Sequence, residues 1–292
     1  MEITVHTLNA FAKEEHGGNP AGVVLNGNAM DETLMQEIAR IVGLSETAFF
    51  VETDHADFKI RYFTPKGEVD ICGHATVAAF NLLWTQERIS LGTYTLLTKA
   101  GMLEVILQEN GEVFLTQALP RYFEHVDRKL IADSLRISPD DLVHDLPVQI
   151  VSTGLRDILV PIKRSGILKH ITPDFEQITK ISRDYQVVGY HLFTLDIQPG
   201  ALAECRNFAP LYGITEESAT GTSNGALTCY LWKNRKLPEA QDHEYILKQG
   251  YTMNRPSEVR ARLTINKVNG EITKVQVGGM ATNIEIKKVN IN

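Results

Sequence analysis

A short string of the form Arg-x-Phe-x-Pro occurs twice in this chain, as Arg61-Tyr62-Phe63-Thr64-Pro65 and as Arg206-Asn207-Phe208-Ala209-Pro210. A glycine follows each string, Gly73 in CGHATVAAFNLLW and Gly221 in TGTSNGALTCYLW, and from each glycine the chain runs eleven residues to a tryptophan, Trp84 and Trp232. Upstream of both lies a helix-like segment followed by a strand. Self-similarity of this kind marks a duplicated structural unit and constrains the fold more than any single motif. The 292 residues are twice the usual length of one domain, which suits two domains with the same internal plan. The expected boundaries are 1–118, completed by a C-terminal strand over 278–292, and 119–277.

The segments after the two glycines predict helices of an unusual kind. Val77, Ala78, Ala79, Phe80, Leu82, Leu83 and Trp84 cover most of one circumference, and Ala226, Leu227, Cys229, Tyr230, Leu231 and Trp232 most of the other. A helix that is apolar nearly all round is buried, so sheets must wrap around each one. The upstream helices are amphipathic instead. In DETLMQEIARIVG, Asp31 is placed to cap, Leu34, Met35, Ile38, Ile41 and Val42 form the stripe, and Gly43 closes the end. In TPDFEQITKIS, Thr172 is expected to cap, with Pro173 at the first helical position. The run DRKLIADSLRISPDDLVHDL also reads as helical, with Ser138 capping and Pro139 opening the next turn.

Elsewhere strand signals dominate: DFKIRYF, TYTLLTKAG, GMLEVILQENGEVFLTQ, VQIVSTG, RDILVPIK, VRARLTINKVNGEITKVQVGG and NIEIKKVNI. The Asn110-Gly111 and Asn269-Gly270 pairs punctuate hairpins. Helices and strands do not alternate regularly, so a doubly wound parallel sheet is not expected. The predicted class is α+β, two similar domains, each a mainly antiparallel, barrel-like sheet around a buried central helix.

Composition excludes several functions. Lys and Arg number 29 against 36 Asp and Glu, leaving a net charge of −7, and no basic run breaks that balance. Such a surface lacks the footprint that neutralises nucleic-acid phosphates. The three cysteines, Cys72, Cys205 and Cys229, form no disulfide framework and suit a reducing cytosol. The first residues, MEITVHTLNAF, alternate like a strand and not like a signal peptide. No stretch is long and apolar enough for a transmembrane helix. A cytoplasmic protein with neither a nucleic-acid nor a membrane partner is expected.

Both buried helices open on small or polar residues, Gly73-His74-Ala75-Thr76 and Gly221-Thr222-Ser223-Asn224. A helix start leaves backbone N–H groups unpaired at the positive end of the helix dipole. Hydroxyl caps from Thr76, Thr222 and Ser223 can satisfy them. A substrate carboxylate or phosphate can do the same. Two related starts at a shared cleft would make a ligand site.

Several motifs carry a family resemblance. GGNPAGVVL, Ser45-Glu46-Thr47 within LSETAFF, RYFTPKGEVDICGHAT, RNFAP, EESATGTSNGAL and QGYTMNRPS together resemble the PhzF-like (phenazine biosynthesis) family, in colinear order along almost the whole chain. The resemblance implies a diaminopimelate epimerase-like fold and a cofactor-independent isomerase, often a homodimer, working in the cleft between halves. It implies that Glu46 is the catalytic proton shuttle and His74 the cleft histidine. The family's Glu-Asp-Pro-Ala-Thr-Gly-Ser pattern falls on Glu216 to Thr222, so Glu217 stands for the catalytic aspartate, Ser218 for the proline and Thr222 for the serine.

Physical chemistry colours these assignments. The apolar run after Glu46 is expected to raise its carboxyl toward neutrality, and a helix dipole is expected to keep His74 neutral. Glu217 suits either an acid–base role or a cap before the second helix. Asn19 in GGNPAG suits either substrate contact or a turn. Gly73, Ala75, Thr76, Gly221, Thr222 and Ser223 are the expected carboxylate-binding positions. No metal is expected, because a Cys72-x-His74 pair alone is too small a ligand set. Cys72 is expected to be a small buried residue. A two-thiol racemase is disfavoured, because Thr220 stands where such enzymes place their second cysteine. The expected function is a proton shift on a small carboxylate-bearing substrate. A non-catalytic small-acid binder and an amino-acid racemase or epimerase are the alternatives.

Overall fold

A computed structural model describes residues 1–197, 199–237 and 244–291. The chain divides into two compact units, Met1–Thr116 with Gly278–Asn292, and Gln117–Val277. Asn292, the last residue of the expected C-terminal strand, lies outside the described residues.

The first unit runs β1 (Glu2–Ala10), β2 (Asn19–Val24), α1 (Glu32–Val42), β3 (Thr47–Val51), β4 (Phe58–Thr64), β5 (Gly67–Val69), α2 (Gly73–Thr85), β6 (Gly92–Thr98), β7 (Gly101–Leu107) and β8 (Val113–Gln117). The second runs β9 (Arg121–His125), α3 (Arg128–Leu135), β10 (Gln149–Ser152), β11 (Arg156–Pro161), α4 (Ser165–His170), α5 (Phe175–Asp184), β12 (Gly189–Thr194), β13 (Ala203–Ala209), β14 (Ile214–Glu217), α6 (Gly221–Lys233), β15 (Glu244–Gln249), β16 (Ser257–Ile265) and β17 (Ile272–Gly279). The last strand, β18 (Ala281–Asn290), pairs antiparallel with β1 in the first unit.

Pairing repeats with the sequence. In the first unit β2 and β3 run parallel, β3 and β4 antiparallel, and β4 and β6 parallel. In the second, β11 and β12 run parallel, β12 and β13 antiparallel, and β13 and β15 parallel. The two Arg-x-Phe-x-Pro strings begin on the equivalent strands β4 and β13. Each arginine forks onto a glutamate by two parallel bonds: Arg61 onto Glu68 at 2.6 and 3.0 Å, Arg206 onto Glu216 at 2.8 and 2.8 Å. Each guanidinium also lies over the phenylalanine two residues on, 5.1 Å from the Phe63 centroid and 4.8 Å from that of Phe208.

The central helices are enclosed as their composition requires. Every residue of α2 from His74 to Leu83 is buried, and so is every residue of α6 from Ser223 to Leu231. Helix α2 packs on β1, β2, β3 and β18, and α6 on β10 and β16. The eleven-residue spacing from glycine to tryptophan now has a cause. Each helix ends against an Asn-Gly hairpin of its own unit. Asn110 and Gly111 both take left-handed backbone, φ 68° and 77°. A Cβ on Gly111 would lie 2.2 Å from the Trp84 ring, so only glycine lets the ring close there. In the second unit the Trp232 indole donates to the Gly270 carbonyl at 3.0 Å.

Three local expectations are corrected. In α1 the stripe is Met35, Ile38, Ala39 and Val42, while Ile41 is 45% exposed. Helix α5 is capped by Asp174, whose carboxylate accepts from Gln177 N–H, and not by Thr172; the carboxylate is the stronger acceptor and Pro173 lies outside the helix. The run 127–146 is not continuously helical: α3 ends as Arg136 turns left-handed, and Ser138 caps only a short turn over Pro139–Asp141.

The two arginine forks differ in exposure, which sets their worth. The Arg206 and Glu216 side chains are 9% and 16% exposed, and Arg206 also donates to the Leu168 and Ile171 carbonyls. Breaking a buried pair strands a charge and costs about 3–5 kcal/mol, whereas exposed pairs contribute about 0–1 kcal/mol. Glu216→Ala is therefore expected to lower the urea midpoint severely. Glu68→Ala should cost less, because Arg61 is 25% exposed and keeps Glu32. Equal losses would contradict this account.

Candidate active site

The first unit gathers chemistry at the start of α2. Glu46 immediately precedes β3, and Cys72 is the residue before the helix. His74 enters from the first turn, buried at 6% exposure. Its Nε2 lies 3.2 Å from Glu46 Oε2 and 3.4 Å from Ser45 Oγ. Its Nδ1 lies 3.4 Å from Cys72 Sγ and 3.5 Å from the Asn19 amide. The Glu46–His74 approach is a contact of charges without hydrogen-bond alignment, and Glu46 Oε2 is buried with no hydrogen-bond donor.

The electrostatics reverse two expectations. Burial pushes the Glu46 carboxyl up, but the His74 charge beside it, helped by the neighbouring Ser45 and Cys72, carries it below its ordinary value. Burial pushes His74 down, but Cys72 and Glu46 together lift it well above the ordinary imidazole value. An isolated apolar setting and a bare helix dipole would each act as the sequence suggested. Once the acid and the base sit side by side in a low dielectric, mutual stabilisation of the ionised forms wins. At neutral pH the site holds a carboxylate and an imidazolium.

No side chain caps α2. The Thr76 hydroxyl donates to the Cys72 carbonyl at 2.7 Å and must therefore accept from the Tyr62 hydroxyl at 2.5 Å. Thr76 N–H already bonds the Cys72 carbonyl. Thr76 is thus a brace within the helix, and Gly73 and Ala75 are its neighbours in the first turn.

Cys72 is more than a small buried residue. Glu46, Cys72 and His74 offer ligand atoms within 4.8 Å of one another, a third donor that the sequence did not place beside the other two. Soft divalent metals use such a set. Filling it would release protons from both Cys72 and His74: burial and the Glu46 charge push the Cys72 thiol up to about 11, and His74 lies well above the ordinary imidazole value.

In the second unit α6 also starts without a side-chain cap. The Glu217 carboxylate accepts from the Thr220 hydroxyl at 2.6 Å. The Ser223 hydroxyl does not cap; it donates to Asp157 Oδ2 at 2.6 Å. The Thr222 carbonyl accepts from the Thr153 hydroxyl at 3.2 Å. Asp157 escaped notice in the sequence, although an aspartate inside RDILVPIK interrupts a run that is otherwise strand core. It is 2% exposed, and its Oδ1 is buried without a hydrogen-bond partner. Burial pushes it up to about 7; the Ser223 bond opposes this and the Glu217 charge adds to it. His191, fully buried on β12, is pushed down to about 4 by burial and is neutral. A groove of about 990 Å³ lies elsewhere, along the outer face of α1 between Glu37, Arg40, Lys66 and Glu68, and none of the candidate residues lines it.

Among the described residues, no helix is long and apolar enough to cross a membrane. The model of the phenazine biosynthesis-like protein family matches residues 8–286. The chain is 35% identical over 297 residues to the Bacillus subtilis (strain 168) protein named Uncharacterized isomerase YfhB, covering 99% of both chains. Its fold is similar to the crystal structure of a Bacillus anthracis phenazine biosynthesis protein of the PhzF family, with a TM-score of 0.92, 27% identity and full coverage of both chains. A hydroxyproline epimerase from Agrobacterium vitis shares the fold at a TM-score of 0.67 and 13% identity, over 99% of this chain and 91% of that one.

Two pH dependences follow. The lowered Glu46 stabilises the fold above the ordinary glutamate value of 4.5, a contribution lost as pH falls through its folded value. The raised His74 stabilises it fully below 6.5, and that contribution is lost as pH rises through its folded value. His74→Gln should therefore cost most near pH 5.5 and least near pH 9.5 in urea titrations; a pH-independent cost would contradict the ion pair. Asp157 has the opposite sign from Glu46. Its raised value stabilises the fold below 3.8 and loses that contribution as pH rises through about 7. Asp157→Asn should gain on the wild type between pH 5 and pH 8, by roughly 2.5 kcal/mol. A constant difference across that range would contradict the buried acid.

Proposed function

The chain belongs to the phenazine biosynthesis-like protein family and is an isomerase, and from that premise we propose that it shifts a proton between carbons of a small carboxylate-bearing substrate. The observation that carries this reading is the buried Glu46 Oε2, ionised, without a hydrogen-bond donor and 3.2 Å from the His74 imidazolium. A carboxylate left with an open lone pair in a low dielectric is a base awaiting a proton.

Each residue has a role in this reading. Glu46 takes a proton from a carbon next to the substrate's carboxylate and returns it at another carbon, so product and substrate have the same composition. Negative charge spreads onto the carboxylate as the C–H bond breaks. The His74 cation and the start of α2 at Gly73 stabilise that charge, which is where preorganised donors contribute most. In the second unit Glu217 and the helix start at Gly221, Thr222 and Ser223 offer an acidic side chain and an anion-binding helix start of their own. Asn19 orients His74 from its other ring nitrogen. None of these steps calls on a cofactor. Glu217 is one methylene longer than the family's aspartate, so this reading does not carry over the family's founding substrate.

The test uses candidate cyclic and α-amino carboxylates in D2O, with deuterium uptake at carbon followed by NMR. Wild type should exchange a carbon-bound proton. Glu46→Gln should lower the rate by about 10²–10⁴, the usual worth of a general base. Glu217→Asp should retain more activity than Glu217→Gln. Binding without exchange in the wild type would instead favour a non-catalytic acid binder. Exchange at the α-carbon with inversion would favour a racemase.

A further inference from the structure

In the second unit six polar side chains, all buried or nearly so, join Asp157 to Glu217. The donors and acceptors can be followed one by one. Ser223 Oγ–H donates to Asp157 Oδ2 at 2.6 Å. Asn207 Nδ2 lies 3.3 Å from Ser223 Oγ and 3.2 Å from His191 Nδ1, so its two hydrogens serve both. Because Nδ1 accepts, the neutral ring carries its proton on Nε2, which donates to Asn224 Oδ1 at 3.3 Å. Asn224 Nδ2 then spends its two hydrogens on the Thr220 carbonyl at 2.9 Å and Gln249 Oε1 at 2.8 Å. Gln249 Oε1 also accepts from Thr220 N–H at 3.1 Å, while its Nε2 donates to the Glu217 carbonyl at 2.8 Å and Thr220 Oγ1 at 3.0 Å. Thr220 Oγ1 has one hydrogen left, and it goes to Glu217 Oε2 at 2.6 Å.

No single amide in this chain of bonds can be flipped and no imidazole tautomer exchanged without setting a buried donor against a donor or an acceptor against an acceptor. Asn207, His191, Asn224 and Gln249 are each at most 2% exposed, so such an error would cost the full desolvation of the groups involved. We propose that His191, Asn207, Asn224 and Gln249 are positioning residues: a polarity-locked relay that runs from the Ser223 hydroxyl to the Thr220 hydroxyl and holds the Glu217 carboxylate in one orientation beside the start of α6. What Glu217 then does in the reaction rests on the proton-transfer reading above; the lock itself does not.

The neutrality of His191 agrees with the geometry, since an imidazolium would have two donors and only one acceptor here. At the equivalent place the first unit has, among the described residues, a Tyr62–Thr76 hydroxyl pair in place of the amides and imidazole. Tyr62 occupies the position of Asn207, and Ala75 that of Ser223.

The test is NMR on the whole 15N-labelled chain. Long-range correlation should report His191, assigned with His191→Gln, as the Nε2–H tautomer at pH 7. An Nδ1–H tautomer or a doubly protonated ring in the wild type would overturn the proposal. Asn207→Asp replaces the shared donor with an acceptor, so His191 should take a second proton and the far end should loosen. The Thr220 amide, held by Gln249, should exchange with D2O about tenfold faster, the worth of one buried hydrogen bond. An unchanged Thr220 rate would overturn the relay. Should Asn207→Asp fail to fold, Asn207→Ala carries the exchange test: faster exchange of the Thr220 amide supports the relay, and an unchanged rate overturns it. These readouts need no substrate, so they stand apart from deuterium uptake. With an exchanging substrate, kcat for Asn207→Asp should fall about tenfold with KM nearly constant, and an unchanged kcat would overturn the positioning role.

Discussion

Enclosing a helix on all sides solves one problem and creates another. The apolar circumferences of α2 and α6 are removed from water, which stabilises each unit. Yet their first N–H groups, which have no partner within the helix, are carried into the interior with them. Neither helix has a side-chain cap to relieve this. The start of each helix is therefore a place where negative charge or a strong acceptor is favoured, and the polar residues of each unit collect there. The fold generates the chemistry of its sites by leaving this demand open.

The two units answer the demand differently. In the first, charge does the work: a carboxylate and an imidazolium face each other at 3.2 Å beside a thiol. In the second, the charges stand at the ends, Asp157 and Glu217, and a neutral, directional network fills the space between them. A coulombic pair tolerates small displacements and can exchange a proton. A chain of amides tolerates neither displacement nor inversion. The first arrangement permits proton exchange between its members, and the second fixes orientation.

Much of this was legible in the residues. The repeated Arg-x-Phe-x-Pro strings and the glycine-to-tryptophan spacing pointed to duplicated units with buried helices. The strand pairings, the twin arginine forks and the hairpins that receive Trp84 and Trp232 give those patterns their physical cause. The place of Glu46 beside His74 came from a family resemblance, not from spacing, since the two lie on different elements. Their protonation states were misjudged because each residue was weighed alone, whereas in a buried pair the partner's charge dominates. Asp157, His191, Asn207 and Gln249 were invisible as a group because they come from four strands and meet only in three dimensions. The one local hint was a charged side chain within the apolar run of β11. Caps were misplaced by a residue or two where several candidates lay together, as with Thr172 and Asp174.

Duplication explains why such different polar arrangements can share one scaffold. The parts that hold each unit together, the forked arginine, the enclosed helix and the hairpin at its end, lie away from the helix start and are retained in both halves. The residues at the start bear little of that load, so they are free to diverge. Cys72 and Thr220 show the consequence. They occupy equivalent positions immediately before the two glycines, yet one is a thiol pushed up to about 11 against an imidazolium and the other a hydroxyl fixed between Gln249 and Glu217. A symmetric pair of thiols would make the two starts interchangeable acids and bases. A committed hydrogen-bond donor in one of them removes that symmetry, so the two starts are not chemically interchangeable.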